Sequence, residues 1–418
     1  MTEDELSDSP RADTPRRDAP GRDAPSKDVL RGTWRGIAKR TFQFVTITLL
    51  ALMIALLIDG WSAFGARASG SRRPRMAASR EWAVNHFVNP QPLVNHLGQS
   101  LHDLLEVSPY VTPAAPVPVA SVSPAQFRTT AASGLRVTWF GHSTTLVELD
   151  GVRILTDPVW SQRVSPSRFV GPRRWAAPLV ALDSLPRIDV VVISHDHYDH
   201  LDYATICAMR GWTNAFVVPL GIGAHLESWG IPSSRIIELD WWQDTTVRGL
   251  RIVATPARHA SGRILFDNDA KLWAGFAFIG HSQRVYYSGD TGLFPALADI
   301  GARLGPFDLT MIEVGQYGRG WPDWHLGPEQ AVRAHQMVRG RVMLPVHWGM
   351  FALAYHAWTE PMERALVAGT AAGVTIIDPE LGQSVDPLSP QPPVRWWPPV
   401  PWKRAEQDPI VATQMSAK

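Results

Sequence analysis

"VVISHDHYDHLD", residues 191–202, places three histidines and three aspartates within eight consecutive positions, 195–202. They follow directly on an apolar run that ends at Ile193. A continuous run of β-branched residues reads as a strand covered on both faces. Ionisable groups are costly at the end of such a strand unless something neutralises them. Histidine nitrogen and carboxylate oxygen are also the donors that borderline ions such as zinc accept. His195 and His197 are two apart, so on a strand end or extended turn both face one side. Asp199 and His200 lie just beyond, where a turn can direct them at a second ion. The alternative is a solvated, histidine-rich loop, and the match of residue types to hydrolytic metal sites argues against it.

Four residues do not complete two sites, so the remaining donors must come from elsewhere. Three later segments have the same form, an apolar strand ending in a metal-capable residue. "RIVATPARH" delivers His259, "RVYYSGDTG" delivers Asp290 between glycines, and "VMLPVHWG" delivers His347. The single cysteine, Cys207, excludes an intramolecular disulfide framework and any multi-cysteine zinc site. A net charge of only +1 offers no basic face of the kind nucleic acid needs, so no nucleic-acid partner is expected.

Working outward, residues 134–384 alternate short apolar strands with helical stretches. "LRVTWFG", "TTLVELD" and "VRILTDP" read as strands, the last two joined at the hairpin signal Asp150-Gly151. "VVVIS", "AFVVP", "RIVATPA", "AGFAFIG", "RVYYSGD", "LTMIEVG", "VMLPVHW" and "VTIID" follow, with helices expected in "GIGAHLESWG" and "GPEQAVRAHQMVRG". Strands with helices packed outside make an α/β body of stacked layers.

HxHxDH followed by a lone His, an Asp in "SGDTG" and a final His resembles the metallo-β-lactamase superfamily. The resemblance implies a four-layer αβ/βα sandwich with a dinuclear site, two zinc ions or other divalent metals such as Mn or Fe, at one sheet edge. It assigns His195, His197 and His259 to the first ion and Asp199, His200 and His347 to the second, with Asp290 bridging. A narrower resemblance, over roughly residues 86–361, is to the N-acyl-phosphatidylethanolamine-hydrolysing phospholipase D branch. It is carried by "HFVNP", "WFGHSTTLVELDGVRILTDPVWSQRVSPSRFVGPRRW", "TPARH" and "HWGMFALAYHAWTEP". That implies cleavage of the distal phosphodiester of an acylated phospholipid headgroup. The alternative within the same fold is a lactonase or soluble phosphodiesterase, since attack on a carbonyl needs the same metals.

Two ions about 3.5–4 Å apart bring a shared water near neutrality and clamp both oxygens of a phosphodiester. The reaction expected is attack by a hydroxide bridging the metals, with Asp199 and Asp290 placed in the catalytic group and Asp290 orienting the hydroxide. No serine nucleophile is required, so Ser143 and Ser194 read as structural. His325, in "WPDWHLGPEQ", matches a histidine over the metal site of the phospholipase branch and is expected to protonate the leaving group. Asp157 and His142 are expected behind the metals, orienting ligands through hydrogen bonds. Arg173, Arg174 and Arg319 are candidates for a phosphate contact, with a solvated surface role as the rival. Trp321, Trp324, Trp348 and Phe351 read as either an acyl-chain groove or core. His86, His96, His102, His225, His335 and His356 show no partner pattern.

The ends differ from the body. Residues 1–40 read as a disordered charged tail, with Asp and Pro each recurring every five positions up to Asp28. From Thr41 to Ile58 there are 18 residues without a charge, a single transmembrane helix by length and composition. A buried core helix or a cleaved signal peptide are the rivals. Six Lys and Arg over 21–40 against four over 59–78 lean toward an inside N-terminus. The expectation is a single-pass membrane protein with an N-terminal anchor, its catalytic domain on the non-cytoplasmic side and a phospholipid as substrate. Residues 79–133 form a helical and proline-rich bridge, in which Leu93, Leu97, Leu101, Leu104 and Leu105 fall at helical spacing and should pack on the body. Residues 385–418 form a proline-rich tail. Deleting residues 1–78 removes none of the proposed ligands and is expected to leave a folded, active body.

Overall fold

The computed structural model describes residues 27–129 and 131–415. The tail expected over 1–40 therefore lies, for residues 1–26, outside the described residues. Helix α1 runs from Lys27 to Gly60. It starts before the expected span because the proline repeat stops at Pro25 and nothing after it breaks a helix. Its stretch Ile37–Gly60 has a mean hydropathy of 2.3, is exposed along nearly all of its length with only Gly60 buried, and is long enough to cross a bilayer. The chain divides into two compact units, Met1–Ala55 and Leu56–Lys418.

The larger unit opens with α2 (Arg72–Ala77), a ribbon of β1 (Trp82–Ala83) and β2 (His86–Phe87), and α3 (Leu97–Leu105). Two seven-stranded sheets follow. The first contains β3 (Leu135–Trp139), β4 (Thr145–Leu149), β5 (Val152–Thr156), β6 (Ile188–Val192), β7 (Thr213–Pro219) and β8 (Ile236–Leu239) in that order. The second contains β9 (Asp244–Val247), β10 (Leu250–Thr255), β11 (Gly275–Ile279), β12 (Arg284–Tyr287), β13 (Phe307–Glu313), β14 (Gly340–Val346) and β15 (Thr375–Ile376). The late strand β16 (Ser384–Val385) returns to the first sheet beside β3. β5 through β8 run parallel, as do β12 through β15.

Alternation along the strands explains the layering. Val147, Ile154, Val190, Val192 and Val217 face the core shared with the second sheet. Leu146, Leu155, Val191, Phe216 and Val218 point the other way, against Ile206 and Met209 of α4 (Tyr203–Met209) and Leu226 of α5 (Gly223–Ser228). On the far side, α6 (Ala296–Leu304), α7 (Pro328–Met337) and α8 (Glu360–Ala372) cover the second sheet with Leu297, Ile300, Val332, Met362 and Ala365. The result is helix, sheet, sheet, helix, the four-layer αβ/βα order that the resemblance implies. Helices α4, α6 and α8 are not among the helices expected from the sequence.

One expectation is reversed. The leucines of α3 do not pack on the body: Leu97, Leu101, Leu104 and Leu105 are all exposed. The polar face packs instead, through buried Asp103 paired with Arg319 at 2.7 Å. Periodicity reports that a helix is two-faced, not which face the body receives.

Candidate functional site

Six strand ends meet at one edge, where parallel strands of open α/β sheets typically present ligand sites. Asp157 follows β5, residues 194–200 follow β6, and His259 comes after β10. Asp290 follows β12, Glu313 ends β13, and His347 follows β14.

The seven residues singled out in the sequence converge here as two touching groups. His195 Nε2 lies 2.9 Å from His197 Nδ1, and His259 Nε2 lies 3.3 Å from that same atom. Beside them, Asp199 Oδ2 is 3.3 Å from His200 Nε2 and 3.5 Å from His347 Nε2. Asp290 stands between the groups, its Oδ2 at 3.0 Å from His347 Nε2, 3.1 Å from His200 Nε2, 3.8 Å from His195 Nε2 and 3.9 Å from His259 Nε2. Donors held about 2.0–2.1 Å from one tetrahedral ion sit about 3.3 Å apart, so both groups fit the spacing an ion requires. Nε2 of His200, both ring nitrogens of His347 and Oδ1 of Asp290 are buried without a hydrogen-bond partner. Such orphaned donors and acceptors are costly unless a ligand satisfies them.

The far side of each ring is held. Asp157, fully buried, accepts from His200 Nδ1 at 2.7 Å, from Ser194 N and Oγ, and from the Tyr287 hydroxyl. His259 Nδ1 donates to the Trp324 carbonyl at 3.0 Å, which leaves Nε2 free for a metal. His142 Nε2 donates to Asp199 Oδ2 at 2.9 Å. His142, Asp157 and His347 all carry positive φ, at 52°, 35° and 66°. Such backbone strain is tolerated where the surroundings over-determine it. Here Trp348 O accepts from His142 N at 3.0 Å while His142 O accepts from His347 N at 2.9 Å.

Two buried acids complete the arrangement and are absent from the sequence reading. Glu313 accepts from His325 Nδ1 at 2.8 Å and lies 3.3 Å from His347 Nδ1, and its other oxygen takes the backbone N–H groups of Thr291 and Leu326. The signal was available, since "LTMIE" is one more apolar run ending in a metal-capable residue. Asp196 faces away from the two histidines flanking it. It accepts from Gly262 N at 2.7 Å and pairs with His225 Nε2 at 3.2 Å and Lys271 Nζ at 3.5 Å. His225, unassigned in the sequence, takes the Ala66 N–H on Nδ1, so its proton sits on Nε2, toward Asp196.

The electrostatics divide the site. Burial pushes Asp290 and Asp199 up, but the His200 imidazole beside both outweighs it and, with His347, holds them well below the ordinary carboxylate range. Burial opposes charge on His200 and His347 as well, yet Asp290 and Asp199 hold both well above the ordinary imidazole value. Burial, with neighbouring imidazoles, keeps His195 and His259 well below it, and burial lowers His197 too. The three-histidine group is therefore neutral, as nitrogen ligands must be. Cations entering the other group displace protons from it.

A cavity of about 450 Å³ opens onto these groups, walled by His197, Asp199, Asp290, His325, His347, Trp321, Trp324 and Tyr355. Trp348 and Phe351, grouped with those tryptophans in the sequence, are core: Trp348 stacks on Trp139 and Phe351 meets the edge of His142. None of the three candidate arginines lines the cavity. Arg319 is committed to Asp103 and to Asp408, the latter at 3.0 Å, and Arg174 is buried on the Trp160 carbonyl. Arg173 borders a different cavity.

A model of the β-lactamase superfamily domain matches residues 152–348. An uncharacterized protein of Mycobacterium tuberculosis (strain ATCC 25618 / H37Rv) is 54% identical over 289 residues, covering 68% of this chain and 77% of that protein. The N-acyl-phosphatidylethanolamine-hydrolyzing phospholipase D 1 of Caenorhabditis elegans is 40% identical over 236 residues, 53% of this chain and 65% of that protein. A UPF0173 metal-dependent hydrolase of Nitratidesulfovibrio vulgaris (strain DP4) is 31% identical over 226 residues, 52% of this chain and 81% of that protein. Taken with the two-sheet sandwich and the histidine–aspartate edge, these place the chain in the β-lactamase superfamily, as a hydrolase of the metallo-β-lactamase fold with N-acyl-phosphatidylethanolamine-hydrolysing phospholipases D among its homologues.

Proposed function

We propose that this protein hydrolyses the distal phosphodiester of an N-acyl-phosphatidylethanolamine-like phospholipid, held at the membrane by Ile37–Gly60. The observation that supports it most is the convergence of seven histidine and aspartate donors, four of them lining a tryptophan-walled cavity, in a chain with phospholipase homologues. His195, His197 and His259 would hold one divalent ion, and Asp199, His200 and His347 a second, with Asp290 shared, a donor set that suits zinc and also takes iron or manganese. Such a pair supplies Lewis acidity and a water acidic enough to react at neutral pH.

The chain's own residues do the rest. Asp157 and the Trp324 carbonyl fix which nitrogen His200 and His259 present. Glu313 accepts from Nδ1 of His325, so in the doubly protonated ring Nε2 would carry the proton that the departing alkoxide takes up, leaving His325 neutral. Trp321 and Trp324 give the acyl-bearing headgroup an apolar wall that excludes water.

Purified full-length protein loaded with zinc should release N-acylethanolamine and phosphatidic acid from N-acyl-phosphatidylethanolamine. No release above a chelated control, or faster turnover of a small lactone or cyclic nucleotide, would sink the reading. Two variants separate the roles. His325→Ala should lower kcat by about 10²–10⁴-fold, the usual worth of a general acid, with bound metal unchanged. Asp157→Asn should instead weaken metal binding by about 10–100-fold, measured by competition with a chelator.

A further inference from the structure

We propose that the metal-site edge of the body is a bilayer-contact face, seating the leucines of α3, Phe169–Val170 and Leu265–Phe266 among lipids around the cavity. The inference rests on reading Ile37–Gly60 as a membrane span. The four α3 leucines sit on an outward stripe while the helix's polar face is buried, with Leu101 56% and Leu105 87% exposed against 8% for Asp103. A soluble surface helix has the opposite arrangement. Such a stripe calls for an apolar partner. The helix stands beside the cavity: Asn95, just ahead of it, lines the wall, and His96 N donates to the carbonyl of Gly320, next to Trp321.

Two further exposed apolar pairs occupy the same edge. Phe169 and Val170 lie in the loop leaving β5, and Leu265 and Phe266 in the loop leaving β10. Both loops are tied to the point where the apolar helix enters the body. Asp59, in the last turn of α1, accepts from Ser167 Oγ at 2.9 Å and Arg168 Nε at 2.7 Å. Ala63, just after it, accepts from Arg263 Nε at 2.8 Å. Trp61 between them is also exposed. A span that ends on these loops brings its bilayer to them. This continuity selects a lipid surface as the occupant over a second copy of the chain. A lipid would then reach the cavity without its acyl chains crossing water.

The test uses full-length protein carrying Cys207→Ser, reconstituted into phosphatidylcholine vesicles, with a polarity-sensitive fluorophore on one introduced cysteine. Leu101→Cys and Phe266→Cys probe the face, and Leu50→Cys probes the span. Gly211→Cys, ahead of β7 at the opposite edge and with open space around a new Cβ, is the aqueous control. Lipids carrying a nitroxide should quench most of the emission at 50, 101 and 266 and leave 211 unaffected. Quenching at 50 alone would overturn the contact face while the anchor stands. Loss of quenching at 50 as well would overturn both. A label at 101 that is shielded from water yet unquenched, in a chain that crosslinks to itself, would assign the face to a second copy and overturn the proposal.

Discussion

Asp290→Asn is expected to lower hydrolysis by about two to three orders of magnitude while leaving a folded protein. Asp290 reaches His200 and His347 on one side and His195 and His259 on the other, within 3.9 Å in every case. It is 3% exposed, so its charge acts with little screening by water. Removing one partner from a buried charge pair costs about 3–5 kcal/mol. At 1.4 kcal/mol per tenfold, that is about 10²- to 10³-fold or more. Without metal, His200 and His347 simply release the protons that Asp290 stabilises, so folding is spared. With metal, nothing replaces the missing charge, and the loss falls on ion affinity and turnover. Metal content per chain and kcat measured together check it. The same activity and metal content as the parent would show that Asp290 is not shared between the groups. Cys207→Ser is the matching control, since its thiol meets the Trp229 carbonyl at 3.9 Å and packs beside an apolar cluster away from every candidate ligand.

Two truncations should behave oppositely. Deleting residues 1–55 removes one compact unit and should leave a body that folds and binds metal. Deleting 1–78, expected from the sequence to be harmless, should yield insoluble or metal-free protein. The difference is the segment 56–78, much of which is built into the body. Arg72 pairs with Glu238 and Glu227 at 2.7 Å each, and Arg75 donates to the Glu238 carbonyl. Ser62 O accepts from Trp229 Nε1, Ala63 O from Arg263 Nε, and Ala66 N donates to His225. Met76 is 2% exposed. Without the segment, the buried guanidinium of Arg263 loses a partner and Glu238 its counter-charge. Each buried group left unsatisfied costs about 1–3 kcal/mol, and several together approach a typical stability of about 5–15 kcal/mol. The damage also reaches the site, because His225 holds Asp196 and Arg263 donates to the carbonyls of Asp196 and Leu201. Thermal melts and metal analysis of the two truncations decide the matter. Equal behaviour would show the segment to be dispensable.

The metal edge was largely legible before any fold was known. His195, His197, Asp199 and His200 follow one apolar strand, and His259, Asp290 and His347 each follow another. A chemically demanding group at such a place announces itself, because a buried strand end tolerates no idle charge. The layer order was legible for the same reason, since strand-length apolar runs have few ways to be covered. Glu313 shared that signal and was passed over, because one acid at a strand end looks ordinary until His325 and His347 are seen on its two sides.

Other features depended on which distant segments meet. The link from Ala66 through His225 to Asp196 joins positions more than a hundred residues apart, and no local pattern encodes it. Arg319, by sequence a candidate either for a phosphate or for a solvated surface role, is occupied by Asp103 and Asp408. Helix α3 shows the division most clearly. Its sequence determined that one face would be leucine and the other polar. Only the tertiary structure decided that the polar face meets the body, because a buried Asp103 facing Arg319 satisfies charges that the leucines could not, and the apolar face is left turned outward.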